Sequence, residues 1–532
     1  MKVLARYGNS MHAPENSKIS IISSYTAGAD IIELNIEFSK DHELIVCRGD
    51  NIQHLTGTDD LVSTLDLSEL QKLDFSEGFI LTNSPDFVYY KREVTGRRLV
   101  VETLPRLLRW IPEGLPLLFF LTGESIQDRE RRNLFIAKLN EAIDLYGSNN
   151  QIYIASHDRP LLTAIRLAMP LSHLAILVSE APIEANLATI QPQLLICEIG
   201  KAMTNDIEFN ALGLSLKQWS MTNRGGKGII FNMDESKSVF DKNCYDFLKD
   251  QSWVWAISTT SLLRVNAFTL KQGVVIDESF NGKLVNRNLF ALGYAKANSY
   301  GNIYQDDGIH VEIKPFDGDL TIPTEAMLRR LYFLDEKLTY TAKDWSFYSG
   351  GGLGVLEGIA GDFTAEVEYS ADIMCQATTL EMALINVDPG THQPQPPQSF
   401  RNKCSFFDPH GAPPFVGVEH DENDGYRINW NFGAEYDNNQ YGRPVGNGWD
   451  AKSGRLKIER RGHYFSAYYR NTTDAGEWAC VGVVRNESMN NTVFIRCAGK
   501  RWRQENPENP DQYMSIVPNH FIFKNLKITK YV

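Results

Sequence analysis

The stretches Asp421-Glu422-Asn423-Asp424-Gly425-Tyr426, Asn429-Trp430-Asn431-Phe432 and Tyr436-Asp437-Asn438-Asn439-Gln440-Tyr441 interleave aromatic rings with amides and carboxylates. A flat apolar face for stacking, set beside planar hydrogen-bonding groups, is the chemistry of sugar recognition. Trp430, Phe432, Tyr436, Tyr441 and Trp449 are its candidate residues. The plainer alternative puts Trp430 and Phe432 in a core surrounded by long polar loops. Asp421 to Asp424 have oxygens for calcium, but without EF-hand spacing such a cluster more often makes a turn. No Gly-Lys-Ser/Thr phosphate loop, His-Glu-x-x-His helix or Gly-x-Ser-x-Gly elbow is present. The seven cysteines lie far apart with no Cys-x-x-Cys pair, so buried free thiols are expected, with a bridge among the last four left open.

These groups must be positioned by two differently patterned halves. Up to about residue 265, short continuous apolar runs alternate with amphipathic stretches. The runs include Val3–Ala5, Asp30–Ile36, Leu115–Leu121, Gln151–Ala155, His173–Val178 and Gly228–Phe231, each readable as a strand buried on both faces. Helix-period positions lie at Arg129–Leu145 and Arg159–Met169. The pattern predicts a parallel sheet with crossover helices, and a closed (β/α)8 TIM barrel of about 250 residues fits the length. From Gly273 onward Gly, Asn, Asp and aromatics dominate and the period falls to two, as in Leu456–Glu459 and His463–Tyr469 around a turn at Gly462. An antiparallel β-sandwich of jelly-roll type is expected. The expected domains are therefore 1–265 and 266–532.

Fifty-three Lys and Arg against 66 Asp and Glu, a net charge of -13, provide no global basic field for nucleic acid or anionic lipid. No apolar run approaches membrane-span length, and Arg6 cuts the N-terminal apolar stretch too early for a signal peptide. A cytoplasmic protein, or one built into an extracellular or virion assembly, is the expectation. A homo-oligomer or larger assembly is left open.

Ala13-Pro14-Glu15-Asn16-Ser17, Ala27-Gly28-Ala29-Asp30, Ile32-Glu33-Leu34-Asn35, Ser39-Lys40-Asp41 and Asp66-Leu67-Ser68-Glu69-Leu70 occur in an order and spacing that resemble the start of the glycerophosphodiester phosphodiesterase family. Weaker echoes follow at Leu99–Leu104, Ile154–Asp158, Phe231–Asp234 and Ile257–Thr260. In the second half, Asp277–Gly282 resembles the opening strand of concanavalin-like domains. Gly361–Tyr369 is similar to a central strand of these domains, and Arg455–Tyr469 with Trp478 to a late hairpin.

The phosphodiesterase resemblance implies two histidines as general acid and base and a divalent metal held by carboxylates. Its histidine positions fall on Arg6 and Arg48, with Tyr7 beside the first, and its metal carboxylates fall on Glu33, Asn35 and the apolar Leu118–Thr122. Arginine stays protonated near neutral pH and cannot inherit a proton-transfer role. No catalytic residue, metal or cofactor is therefore expected, and calcium or magnesium enters only if an active phosphodiesterase has relocated its groups to Glu33, Glu124 and His12. Arg6, Tyr7, Glu33, Asn35 and Arg48 are candidates for an anion-binding pocket, two guanidinium groups being suited to phosphate. The alternative is that Arg6 simply pairs with Glu33 as a charge replacing the metal. Glu124 reads as a surface acid at a helix start, His12 as a solvent-exposed loop residue, and neither His54 nor His157 can be assigned an acid partner. The resulting expectation is a catalytically degenerate binding or structural protein whose partner is a glycan or phosphate-bearing polymer. A glycan hydrolase in the sandwich would need two facing carboxylates in a groove.

Overall fold

The computed structural model describes residues 1–79, 98–182, 187–204, 207–222, 228–233, 242–262, 265, 272–294, 301–313, 348–375, 377–386, 414–433, 439–442, 444–445, 451–470, 477–502, 505–506, 509–513 and 518–531. The chain forms two compact units, one containing Met1–Phe79 and the segment from Arg98 to Leu270, the other the segment from Lys271 onward.

In the first unit β1 (Lys2–Ala5) and β2 (Ile31–Phe38) pair in parallel, with the short β3 (Leu44–Val46) and β4 (Glu102–Thr103) added antiparallel beside β2. The parallel order continues from β2 through β5 (Leu117–Leu121), β6 (Ile152–Ser156), β7 (His173–Leu177), β8 (Leu194–Glu198), β9 (Gly228–Asn232) and β10 (Val254–Thr259). Leu4 is in register with Ile31 on one side and Ser258 on the other, which closes the eight strands into the expected barrel. Strand alternation sorts the side chains. Leu4, Ile31, Leu118, Tyr153, Ala155, Ala175, Leu194, Ile196, Ile230 and Ala256 fill the interior. The opposite faces, among them Ile32, Leu34, Phe119, Ile154 and Ile257, pack against the helices. Each such fully buried aliphatic or aromatic side chain contributes about 1.5–3 kcal/mol.

The two expected helices form at Arg129–Ala142 and Arg159–Ala168. The Asp128 carboxylate caps the first by accepting from the Glu130 and Arg131 amides at 2.9 Å, and Asp158 caps the second at Leu161 N. In the second, Leu161, Leu162 and Ile165 face the barrel while Leu167 is exposed.

The second unit is a β-sandwich of two antiparallel sheets. One contains β13 (Gly301–Gln305), β14 (Ile309–Ile313), β28 (Asn519–Tyr531), β17 (Phe363–Ala371), β22 (Ser453–Arg461), β23 (Tyr464–Arg470) and β24 (Ala479–Arg485) in that order, with β11 (Gln272–Glu278) also on β28. The other runs β12 (Phe290–Tyr294), β15 (Tyr348–Val355), β25 (Thr492–Trp502), β18 (Thr379–Ile385), β19 (Phe415–Asp421), β20 (Gly425–Asn431) and β21 (Gln440–Tyr441), with β16 (Ile359–Ala360) on β25. A small pair, β26 (Glu505–Asn506) and β27 (Asn509–Tyr513), stands apart. Gly462, at φ 58°, turns β22 into β23 as expected. Of Asp277–Gly282, Asp277 and Glu278 end β11, the first strand of this unit, and Phe280 and Gly282 beyond it turn with positive φ. Asp421 to Asp424 make the turn between β19 and β20, with Asp421 Oδ1 accepting from the amides of Asn423 and Asp424. Cys47, Cys197, Cys244, Cys375, Cys480 and Cys497 are free thiols, all buried except the half-buried Cys375; Cys404 lies outside the described residues. Among the described residues, no helix is long and apolar enough to cross a membrane.

Candidate functional site

At the C-terminal ends of the strands the barrel interior changes from apolar to polar. Glu33 and Asn35 follow Ile31 on the inner face of β2, and Glu198 and Asn232 stand in register on β8 and β9. Phe120, in register with Asn35, packs on the apolar interior, within the Leu118–Thr122 stretch on which the resemblance places a carboxylate.

The loop after β1 is wound tightly over this end. Arg6 N donates to Thr259 O, Asn16 N to Tyr7 O at 2.9 Å, and Met11 N to Thr260 O. Tyr7, Gly8 and Asn16 all have positive φ, and a Cβ on Gly8 would lie within 3.0 Å of Ser20 atoms, so only glycine fits there. Ser17 caps the helix Lys18–Thr26 by accepting from Ser20 N. Asn16 holds Asn35 through Nδ2 to Oδ1 at 3.1 Å and Oδ1 from the Asn35 amide at 2.9 Å. The same winding buries His12 completely, correcting the expectation of a solvent-exposed loop histidine.

Arg6 and Arg48 come together as the family frame implied. Both guanidinium groups lie over the Tyr7 ring, at 5.0 and 5.2 Å from its centroid. Arg6 does not form its ion pair with Glu33. Its guanidinium stands 3.7 Å from Glu198 Oε1, which also accepts from Asn232 Nδ2 at 3.1 Å. Barrel closure sets this partner, because it brings β8 and β9 to the mouth beside the residue that follows β1. Arg48 Nε donates to Glu15 Oε1 at 2.7 Å, and His54 Nε2 lies 3.5 Å from the same oxygen. His54 thus has the acid partner that sequence reasoning left unassigned; His157 is exposed. Glu124 is the exposed first residue of a short 3-10 turn, and its carboxylate accepts from Asp50 N.

Glu33 is fully enclosed, and burial pushes its carboxyl up to about 7; Arg6 opposes the rise while Glu198 and Glu15 add to it. Burial likewise raises the Tyr7 phenol, reinforced by Glu33. Glu37, further along β2, is also pushed to about 7 by burial despite hydrogen bonds from Ser125 and Thr122.

A hard divalent ion needs several anionic oxygens. Here Asn35 Oδ1 is taken by Asn16, Phe120 stands beside it, and Glu198 is tied to Arg6 and Asn232. Among the described residues no three His, Cys, Asp or Glu side chains gather as a metal would require. The donor set does not fit the metal that the family frame implies.

In the sandwich, Phe432 is 50% and Tyr441 39% exposed, while Trp430 is half-buried; Tyr436 and Trp449 lie outside the described residues. The Arg427 guanidinium covers the Tyr441 ring at 4.2 Å. Two carboxylates do face each other here. Glu381 and Glu419 are in register on β18 and β19, bridged by Asn429 Nδ2 at 2.7 and 2.9 Å. Both are completely buried, and each is bound to an arginine, Arg496 and Arg427 respectively. A buried pair without solvent access is a structural network rather than a hydrolytic groove.

The family model of the glycerophosphoryl diester phosphodiesterases matches residues 7–199. The Bacillus subtilis protein YhdW, assigned by name to these phosphodiesterases, is 29% identical over 127 residues, covering 24% of this chain and 47% of its own. A glycerophosphodiester phosphodiesterase of Caldanaerobacter subterraneus is 33% identical over 72 residues, covering 14% and 30%. The chain thus spans less than half the length of either relative. A solved Oleispira antarctica phosphodiesterase, in complex with the product sn-glycerol-3-phosphate, aligns at TM-score 0.39 and 17% identity over 50% of this chain and 96% of its own. The N-terminal unit is a closed eight-stranded parallel barrel, and its residues 7–199 are similar to the glycerophosphoryl diester phosphodiesterase family.

Proposed function

We propose that the barrel mouth binds a phosphodiester-bearing ligand without hydrolysing it, and that the chain is a recognition protein for a phosphate-bearing polymer or glycan. The observation that carries this is the convergence of Arg6 and Arg48 on Tyr7, both guanidinium groups partly open to solvent, with side chains 24% and 42% exposed. Guanidinium groups bind phosphate oxygens with paired, charge-assisted hydrogen bonds and do not transfer protons near neutral pH. The donor set's poor fit to a divalent ion supports binding without turnover. In the sandwich, taken by itself, the exposed Phe432 supports glycan recognition by that unit.

The test is calorimetric titration of the full chain with glycerophosphocholine, alongside hydrolysis assays with Mg2+, Ca2+ or Mn2+ supplied. Binding without turnover is expected, with Arg6→Gln and Arg48→Gln each weakening it by about tenfold or more. Metal-dependent turnover abolished by Glu33→Gln would overturn the reading and identify an active phosphodiesterase.

A further inference from the structure

The carboxylate that restrains Arg48 is shared. Glu15 Oε1 lies 2.7 Å from Arg48 Nε and 3.5 Å from His54 Nε2. Burial alone would raise the Glu15 carboxyl, but the hydrogen bonds of His54 and Arg48 outweigh it and hold the group below its ordinary range. Glu15 is only 16% exposed, whereas Arg48 and His54 are 42% and 37% exposed, so both nitrogen-bearing side chains reach solvent beside one covered carboxylate.

We infer that His54 is a third, proton-dependent member of the anion site. Neutral, it leaves Glu15 to Arg48. Protonated, it forms its own charge-assisted bond to Glu15, and the Arg48 guanidinium is freed toward a bound oxyanion such as a phosphodiester or sulfate. This rests on the anion-binding reading above and adds a ligand-binding residue that the family frame does not contain. The groups facing His54 bear this out. Glu15 comes from the loop after β1, and Arg48, over Tyr7, from the loop after β3. Its own turn, Gln53–Thr56, adds no other charge, and past its end Asp59 accepts from Asn51 and Glu77 stands against Gly57. An imidazolium here adds positive charge where Glu15 otherwise neutralises Arg48. Proton binding and anion binding therefore favour each other, and by linkage each raises the affinity for the other.

Sulfate and glycerophosphocholine keep their charge across the histidine range, which makes them suitable probes. Each is titrated calorimetrically into the full chain at pH 8 and pH 5.5, in buffers of different ionisation enthalpy so that protons taken up on binding are counted. The wild type is expected to bind about fivefold more tightly at the lower pH and to take up protons in between. His54→Gln is expected to bind with neither pH dependence nor proton uptake, and His54→Lys to bind tightly at both values. Wild-type binding whose pH dependence and proton uptake persist in His54→Gln overturns the role of His54 and leaves the anion site standing. Absence of binding of either probe at both pH values overturns the anion site itself.

Discussion

Asn16 ties the loop after β1 to strand β2 with a single amide, donating to Asn35 Oδ1 and accepting from Asn35 N. It does so at φ 55°, a conformation in which Asn is tolerated and Ala is strained. Asn16→Ala removes both bonds from a buried pair and adds backbone strain, so a loss of about 2 kcal/mol or more is expected in a denaturant titration. Because the same loop carries Arg6 and Glu15, affinity for glycerophosphocholine is expected to fall with it. Undiminished affinity would show that the loop's own turns suffice to place both residues. The motif Ala13–Ser17 marks this loop in the sequence, and the family frame placed Arg6 and Arg48 together. What sequence could not show is who neutralises them. Glu198 and Glu15 become neighbours of Arg6 and Arg48 only through barrel closure and loop winding, and nothing in their local patterns points inward. His54 could be assigned no acid partner from sequence for the same reason, since Glu15 stands in a different loop.

Strands buried on both faces announce themselves as apolar runs, which is why β2, β5, β6, β7 and β9 lie close to their expected places. β8 and β10 were not among the expected runs. Like β2 and β9, they turn polar at their inner positions at the mouth, Glu198 on β8 and Ser258 on β10, where the barrel passes from core to site. In the sandwich, β17 alternates buried and half-buried positions throughout, the pattern that period two reveals, whereas β18 and β19 are buried at every residue. The polar residues Glu381 and Glu419 sit inside these two strands because partners on β20 and β25 satisfy them. This network depends on close backbone approach. A Cβ on Gly417 would lie 2.3 Å from Asn429 Oδ1 and 2.7 Å from Glu381 Oε1. Gly417→Ala is therefore expected to destabilise the sandwich by about 1–3 kcal/mol. Thermal unfolding that monitors the sandwich's buried tyrosines checks this, and an unchanged midpoint would show that the Glu381–Asn429–Glu419 bridge can shift at little cost.

The whole molecule carries a net charge of -13, and a phosphate-bearing polymer is itself anionic. Long-range electrostatics therefore oppose the encounter that the proposed site requires. The mouth does little to reverse this, since Arg6 is offset by Glu198 and Arg48 by Glu15. Attraction is confined to the contact itself, where guanidinium groups meet phosphate oxygens over a few ångströms. The two effects respond differently to salt. At about 0.01 M ionic strength the Debye length is roughly 30 Å and the global repulsion reaches the approaching polymer; at about 0.1 M it shrinks to roughly 10 Å and most of that repulsion is screened. The association rate of an anionic glycan, measured by stopped flow, is accordingly expected to rise over this range, the reverse of what a basic polyanion-binding protein shows. Dissociation, governed by the short-range contacts, is expected to change less. A rate that instead falls with salt would mean that a local positive field outweighs the net charge, and would direct attention to the exposed cationic side chains outside the barrel mouth.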